Sequence, residues 1–527
     1  MALGQPEASR RALVASAAAV AGTGVALVAA PAQARGKKKP QKYQGQPLLK
    51  GRDRHLVSRF SYGVTPALAS QVRAAGGARA WWERQLTPTA VPDAWADQLP
   101  TWWPSLSQSP QDMWAADKMG MMRAFGVCQD YQRYVLLRRI YSNRQVLELM
   151  TEFWENHLNI PLNGEPSYLF RRSYGETIRS NAFGRYEDIL FSAITHPAML
   201  VYLDNANSTA EHPNENLGRE LLELHTVGLG NYTEDDVKES ARILTGWRVD
   251  TQQGNRTPTW NASYIPGDHS LGPVRVMAFT DPNGDADGRD LTRRYVSYLA
   301  HHPMTARRIA TKLVLKFVRD DASAALVARL AQVYLANDTA IVPVLRALVA
   351  SPEFARAAGT KVRDATEEVV AVWRTLGAQV RRPTGPASAA NTILWQTDSL
   401  GLMPFMWPRP DGAPLVNDPW CTPSRMIASF DLHHSMAGGW WPTASQGVVY
   451  RALKSWVPQK TLRLDQLVDH LCQQLLHQHA TPVLVKAACT AVGYDADEAI
   501  DRRHPVRLYG ISTLLTTILD SPEFFQR

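Results

Sequence analysis

Two runs of this chain place carboxylates and a histidine at the same spacing. Glu220, Glu223 and His225 lie in LGRELLELHTVGLG, and Glu152, Glu155 and His157 lie in LMTEFWENHLNIP, so E-x-x-E-x-H occurs twice. Carboxylates three apart on a helix project near one another, which suits a shared cation or an acid/base pair. The pattern invites comparison with the carboxylate-bridged two-metal sites of helical bundles. Those bundles use Glu-x-x-His, however, and a histidine five residues after a glutamate points about 140° away around a helix. The histidines therefore join the carboxylates only where the helix has ended. Glu220, Glu223, His225 and His157 are the candidates for catalysis. The plainer alternative is an exposed Arg219–Glu223 pair at i, i+4, with His225 beside a helix C-terminus.

A polar loop precedes the second run. Asp204, Asn205, Asn207 and His212 lead into Asn214, Asn216 and Arg219. Such groups either converge on a ligand or lock a loop by hydrogen bonding. Asp204, Asn205, Asn207, Asn214, Asn216 and Arg219 form the candidate ligand-binding set. The leucine stripe Leu217, Leu221 and Leu224 turns one face of the helix to the core, so the Arg/Glu face meets water or a second layer. The matching donors just upstream favour a second layer, with Arg219 pointing inward to a carboxylate.

DPNGDADGRD at 281–290 alternates Asp281, Asn283, Asp285 and Asp287, the oxygen ligands that Ca2+ needs. Neither register supplies the closing bidentate glutamate of an EF-hand. Weak calcium binding and a plain Asp/Asn/Gly turn are the two readings. The run Pro404 to Pro423 holds Phe405, Trp407 and Trp420, and Trp440-Trp441 follow. Those rings either strap the outside of helices or form a platform for sugars or polymers; the tryptophans at 81–82 and 102–103 read as packing residues. Nucleophile elbow, phosphate loop, H-E-x-x-H and dinucleotide fingerprint are all missing from the sequence.

The elements that must position these groups are helices. Segments near 66–76, 130–158, 185–195, 216–226, 234–245, 290–318, 322–336, 340–350, 361–377 and 463–477 have helical periodicity or composition, so the fold class is all-α, a large multi-helix domain with long Pro/Trp-rich loops. Gly228 and Gly230 end the helix that carries Glu220, and Thr233 with Asp236 has capping-box spacing for the next. LRALVASPEF at 345–354 matches LTTILDSPEF at 515–524, and LFSAITHPAM at 190–199 follows the same outline, a helix-joining device built on an N-cap and a proline at the first helical position. RRPTGPASAA at 381–390 marks a break between a main region, 51–380, and a C-terminal region, 391–527.

With 527 residues, 45% hydrophobic and 20% charged, the chain has ordinary globular composition. Residues 1–34 differ: Ser9-Arg10-Arg11 precedes an alanine- and valine-rich run ending in Ala32-Gln33-Ala34, which reads as a twin-arginine export signal cleaved before Arg35. An uncleaved membrane anchor is the alternative. The net charge of +8 sits almost wholly in the first 50 residues, chiefly the GKKKPQK tail at 36–42, so the body is nearly neutral and carries no nucleic-acid footprint. Residues 35–50 read as a basic linker. Cys128, Cys421, Cys472 and Cys489 are scattered singly, open to pairing in an exported protein or to service as buried thiols.

The string NENLGRELLELHTVGLGNYTEDDVKESARILTGW at 214–247 resembles the bacterial domain-of-unknown-function 1800 family, whose members typically read asparagine-glutamate-asparagine, an arginine-glutamate-leucine helix, histidine-threonine, a glycine turn and a closing threonine-glycine-tryptophan. HLVSRFSYGVTP, FWENHLNIP, HPAMLVYLDNA and FMWPRPDGAPLVNDPW fit the same family. The resemblance implies an exported helical protein, often encoded beside a sulfatase-like exported protein of the domain-of-unknown-function 1501 family, and assigns no activity. The expected function is an envelope-associated accessory or binding protein acting with a partner. A hydrolytic enzyme with its site at 204–225 and a purely structural scaffold are the alternatives.

Overall fold

The computed structural model describes residues 43–162, 166–251, 256–385 and 387–527; residues 1–34, expected to be an export signal, and all but the end of the expected basic linker lie outside them. The described residues are all-α, with four two-stranded antiparallel sheets as the extended structure. Residues 41–527 form one compact unit. No helix among the described residues is long and apolar enough to cross a membrane.

The helices that position the site begin with α1 (Ala124–Tyr141), α2 (Gln145–His157) and α3 (Arg171–Asn181). The hairpin follows, α4 (Glu215–Glu220) and α5 (Glu234–Ile243), then α6 (Pro303–Phe317), α7 (Ala365–Leu376) and α8 (Ala389–Ser399). The C-terminal part adds α9 (Pro423–Gly438), α10 (Leu464–Leu475) and α11 (Ile511–Leu519). Helix α1 is covered on nearly every side, its buried residues including Gln132, Arg138 and Arg139 as well as apolar ones. Its Val127 and Cys128 belong to a core built from residues between Leu56 and Ala357, while Tyr131, Tyr134 and Val135 to Ile140 contribute apolar side chains to a second core completed by α7, α8, α10 and α11. The two cores thus share a wall.

Two expected long helices are broken, each for a local reason. The 130–158 segment stops at Ser142, because the Asp93 carboxylate takes both the Ser142 hydroxyl and the Asn143 backbone N–H and holds a turn there. The 290–318 segment breaks at His302-Pro303: proline has no N–H to continue the ladder, and the His302 ring accepts from Met304 N instead. The Ser351-Pro352 junction is capped in the same way, by the Ser351 hydroxyl on Phe354 N. Helices α3, α8, α9 and α11 lie outside the segments expected from periodicity. The four cysteines remain separate thiols, Cys128 and Cys472 buried and Cys421 exposed.

Candidate functional site

The 216–226 segment is not one α-helix. Helix α4 ends at Glu220, and Leu221–His225 winds into a π-turn, closed by Thr226 Oγ1 donating to Leu221 O at 2.6 Å. The wider turn swings His225 into the core, where it is fully buried. Burial pushes its imidazole down to about 3, with the Lys312 charge adding to the effect, so it does not serve as a cation at a helix end. Gly228, at φ +92°, follows the turn; a Cβ there would meet Arg308, which donates to the Glu223 and Leu224 carbonyls. The capping box of Thr233 and Asp236 forms as its spacing predicts.

Arg219 does not point inward. Its side chain is 34% exposed and pairs with Glu215 at 3.1 Å and Glu234 at 2.7 Å, on the outer surface of the hairpin. The upstream polar residues serve the loop itself. Asn214 caps α4 by accepting from Asn216 N, Asn216 Nδ2 donates to Asp204, and buried Asn205 donates to Leu244 O, while Asn207 is exposed. They lock a turn, in which Asp204 adopts φ 58°, and do not gather round a ligand. Glu223 accepts from Tyr232 OH at 2.7 Å and not from Arg219. Glu220 is half-buried; burial, then the like charge of Glu223, raises its carboxyl above the usual range.

The residues that converge lie one layer deeper. Arg308, Lys312 and Lys316 fall at i, i+4 and i+8 of α6 and form a basic stripe facing α2 and the π-turn. At its outer end Lys312 Nζ donates to His157 Nδ1 at 2.8 Å. The Tyr186 hydroxyl donates to His225 O at 2.5 Å, so its oxygen takes the His157 Nε2 proton, which leaves Nδ1 as the acceptor for lysine. Burial drives the Lys312 amine down to about 7, and the neighbouring Arg308 charge assists. Among the described residues no carboxylate forms an ion pair with it.

At the inner end Lys316 Nζ sits 2.8 Å from Glu367, 3.3 Å from Glu152 and 3.9 Å from Asp364. Those three carboxylates are close enough to ligate one metal ion, but the lysine ammonium already stands in the cation's place. Arg527 pairs with Glu367 at 2.7 Å, Arg139 with Glu152 at 3.5 Å, and Arg171 with Glu155. Each carboxylate of the cluster thus meets a cation of the chain itself, as buried charges require. Asp364 is the least favoured of them: burial and then the Glu367 charge push it up to about 6.

The Pro/Trp-rich run lies over this cluster as a strap. Asn156 exchanges two hydrogen bonds with the backbone of Ala413, Asn159 donates to the Trp407 and Arg409 carbonyls, and Leu162 N donates to Phe405 O. Gly412, at φ +79°, passes so close to the Asn156 carbonyl that a Cβ has no room. Trp420 is buried and donates to Pro414 O, and Phe405 packs against both cores, so of the two roles open to these rings these two fill the packing one, while Trp407 is half-buried and donates to Asp411. The cavity left beneath, lined by Glu152, Glu155, Lys316 and Phe405, is about 60 Å³, room for water molecules and not for a sugar ring.

The 281–290 loop does not gather its oxygens. Asp281 pairs with Arg294 and Asp287 with Arg289, Asp285 accepts from Asp287 N, and Asn283 is buried against His269 and Ser270 O. The turn uses its own side chains.

A second concavity opens elsewhere, between α1, the 3-10 turns at Leu99–Ser107 and the start of α8. It measures about 500 Å³ and is walled by Trp102, Trp103 and Trp395, with Gln129, Asp130 and Arg133 along the floor. Trp102 packs against the second core, as its sequence context suggests, yet keeps part of its ring exposed, and Trp395 is 53% exposed. Arg133 pairs with Asp130 at 2.5 Å and donates to Gln129, and Ser105 donates to Asp130. Burial raises the Asp130 carboxyl and lowers the Arg133 guanidinium, the mark of a pair short of solvent. The basic stripe was readable as R-x-x-x-K-x-x-x-K at 308–316; the cleft was not, because its walls are far apart in sequence.

The family model described as "Protein of unknown function (DUF1800)" matches residues 55–526. No curated protein and no solved structure gives a match.

Proposed function

The chain belongs to the DUF1800 family, and from that premise we propose that it is an exported, envelope-associated binding protein that works beside a separately encoded partner. The observation that carries this reading is the contrast between the two concavities. The inner one is about 60 Å³ and its charges are answered within the chain, whereas the cleft of Trp102, Trp103 and Trp395 is about 500 Å³ and open. Ligand sites of ordinary size fall in the latter range. The partner, by the family resemblance, is a sulfatase-like protein of the domain-of-unknown-function 1501 family. An apolar ridge of Ile427 and Phe430 on α9 with Trp440 and Trp441 beyond it is exposed and supports contact with a second protein. Co-sedimentation of the purified mature chain with isolated cell envelopes tests the reading. Sedimentation that weakens in Trp395→Ala is expected, and a chain that stays in the supernatant removes the proposal.

A second reading, a hydrolase acting at the mouth of the inner seam, draws on one observation. Lys312 bears a partly neutral amine near pH 7, hydrogen-bonded to His157, with Glu220 at the end of α4 and Glu223 on the adjoining π-turn. Ester or amide hydrolysis by the purified chain that disappears in Lys312→Met, with a melting temperature no lower than the parent's, would favour it over binding alone.

A further inference from the structure

We propose that the tryptophan cleft binds a neutral pyranose segment of an envelope polysaccharide, an inference that rests on the binding reading above and names its ligand. Three observations converge on that class. Trp395, 53% exposed, and Trp102, partly exposed, present ring surface to the cleft, with Trp103 buried behind them, and a pyranose presents a face of C–H bonds that packs on such rings with loss of water from both. The two exposed rings share one cleft of about 500 Å³ and do not stand singly on the surface.

The floor excludes the other obvious ligands. Asp130 and Arg133 cancel one another, and Asp130 is the single acid and Arg133 the single base among the described residues that line the cleft. An anionic polymer would find no surplus of positive charge, and nucleic acid none of the basic surface it needs. A purely apolar ligand would cover the ion pair without replacing its water, which is costly. Adjacent hydroxyls do replace it. The Asp130 carboxylate, its side chain 20% exposed, has accepting capacity beyond Ser105 and Arg133. A ligand with one apolar face and a ring of hydroxyls meets the tryptophans with the one and this carboxylate with the other.

The floor also argues for binding without cleavage. Glycoside hydrolysis employs a pair of carboxyl groups across the scissile bond, and the cleft offers Asp130 alone among its described lining.

Titration calorimetry on the mature chain with cellohexaose, mannohexaose and hexagalacturonate of equal length tests the inference. Binding of at least one neutral hexaose is expected, weakened about tenfold or more in Trp395→Ala and in Asp130→Asn. Trp395→Ala should keep the melting temperature of the parent, Asp130→Asn should lower it because Arg133 loses its counter-charge, with folding checked by circular dichroism at the titration temperature, and Trp395→Phe, which retains a ring, should recover most of the affinity. Binding of hexagalacturonate in preference to both neutral sugars overturns the assignment of ligand and leaves the binding reading in place. Neutral binding that ignores Trp395 and Asp130 overturns the site. Binding of none of the three overturns the inference, and envelope sedimentation then decides the broader reading alone.

Discussion

Arg219 and Lys316 both contact carboxylates, yet their surroundings give their removal different consequences. Arg219 is 34% exposed, so its pairs with Glu215 and Glu234 work through water. Arg219→Ala should cost no more than about 1 kcal/mol in urea unfolding. Lys316 is buried, and Lys316→Met would leave Glu152, Glu367 and Asp364 facing one another; the same measurement should show a loss of about 3–5 kcal/mol. Lys312 supplies a pH test. Its amine is held near 7 in the fold, below the ordinary 10.5, so between those values the unfolded chain binds the extra proton and stability from this group rises with pH. Lys312→Met should therefore stabilise most below pH 7, with a gain that fades towards pH 10, read as the difference between two melting curves. Residue-scale reading of the sequence succeeded where chemistry is local, as in the Thr233 and Asp236 capping box. It placed Arg219 on the wrong side because a leucine stripe says which face is buried, not how deep the opposite face lies.

At the scale of elements, the strap is the part most open to test. Its path over α2 depends on Asn156 and on the absence of a side chain at 412. Gly412→Ala should be worse than Asn156→Ala, since it forces both a clash with the Asn156 carbonyl and an unfavourable φ. Limited proteolysis should cut both variants within 404–417 at a protease level that spares the parent, and equal resistance in all three would mean that the strap is held by other contacts. The sequence showed FWENHLNIP and the Pro/Trp run as separate stretches. That the asparagines of one bind the backbone of the other was hidden, because backbone acceptors leave no trace in residue type. The π-turn was equally hidden: one residue of extra winding changes which way His225 points while leaving the leucine periodicity almost intact.

For the whole molecule, the all-α class was legible from composition and period, but the sharing of α1 between two cores was not, since its polar residues are buried along with its apolar ones and residue type does not say which neighbour covers each. The export reading of residues 1–34 predicts that Arg10→Lys with Arg11→Lys leaves precursor in the cytoplasm, and immunoblotting of fractionated cells checks it; normal export of that variant removes the assignment. Arg527 joins these matters. The carboxylate of Glu367 is answered in part by a guanidinium that the ribosome adds long afterwards, so a nascent chain holding α2, α6 and α7 still lacks one of its charges. The Lys316–Glu367 pair can form earlier, but the full set of cations around Glu367 is assembled only once synthesis has passed that point. A thread drawn across a membrane while still being made would meet its missing cation on the far side. An export route that accepts finished folds, as the reading of residues 1–34 proposes, would let the cluster be completed before departure.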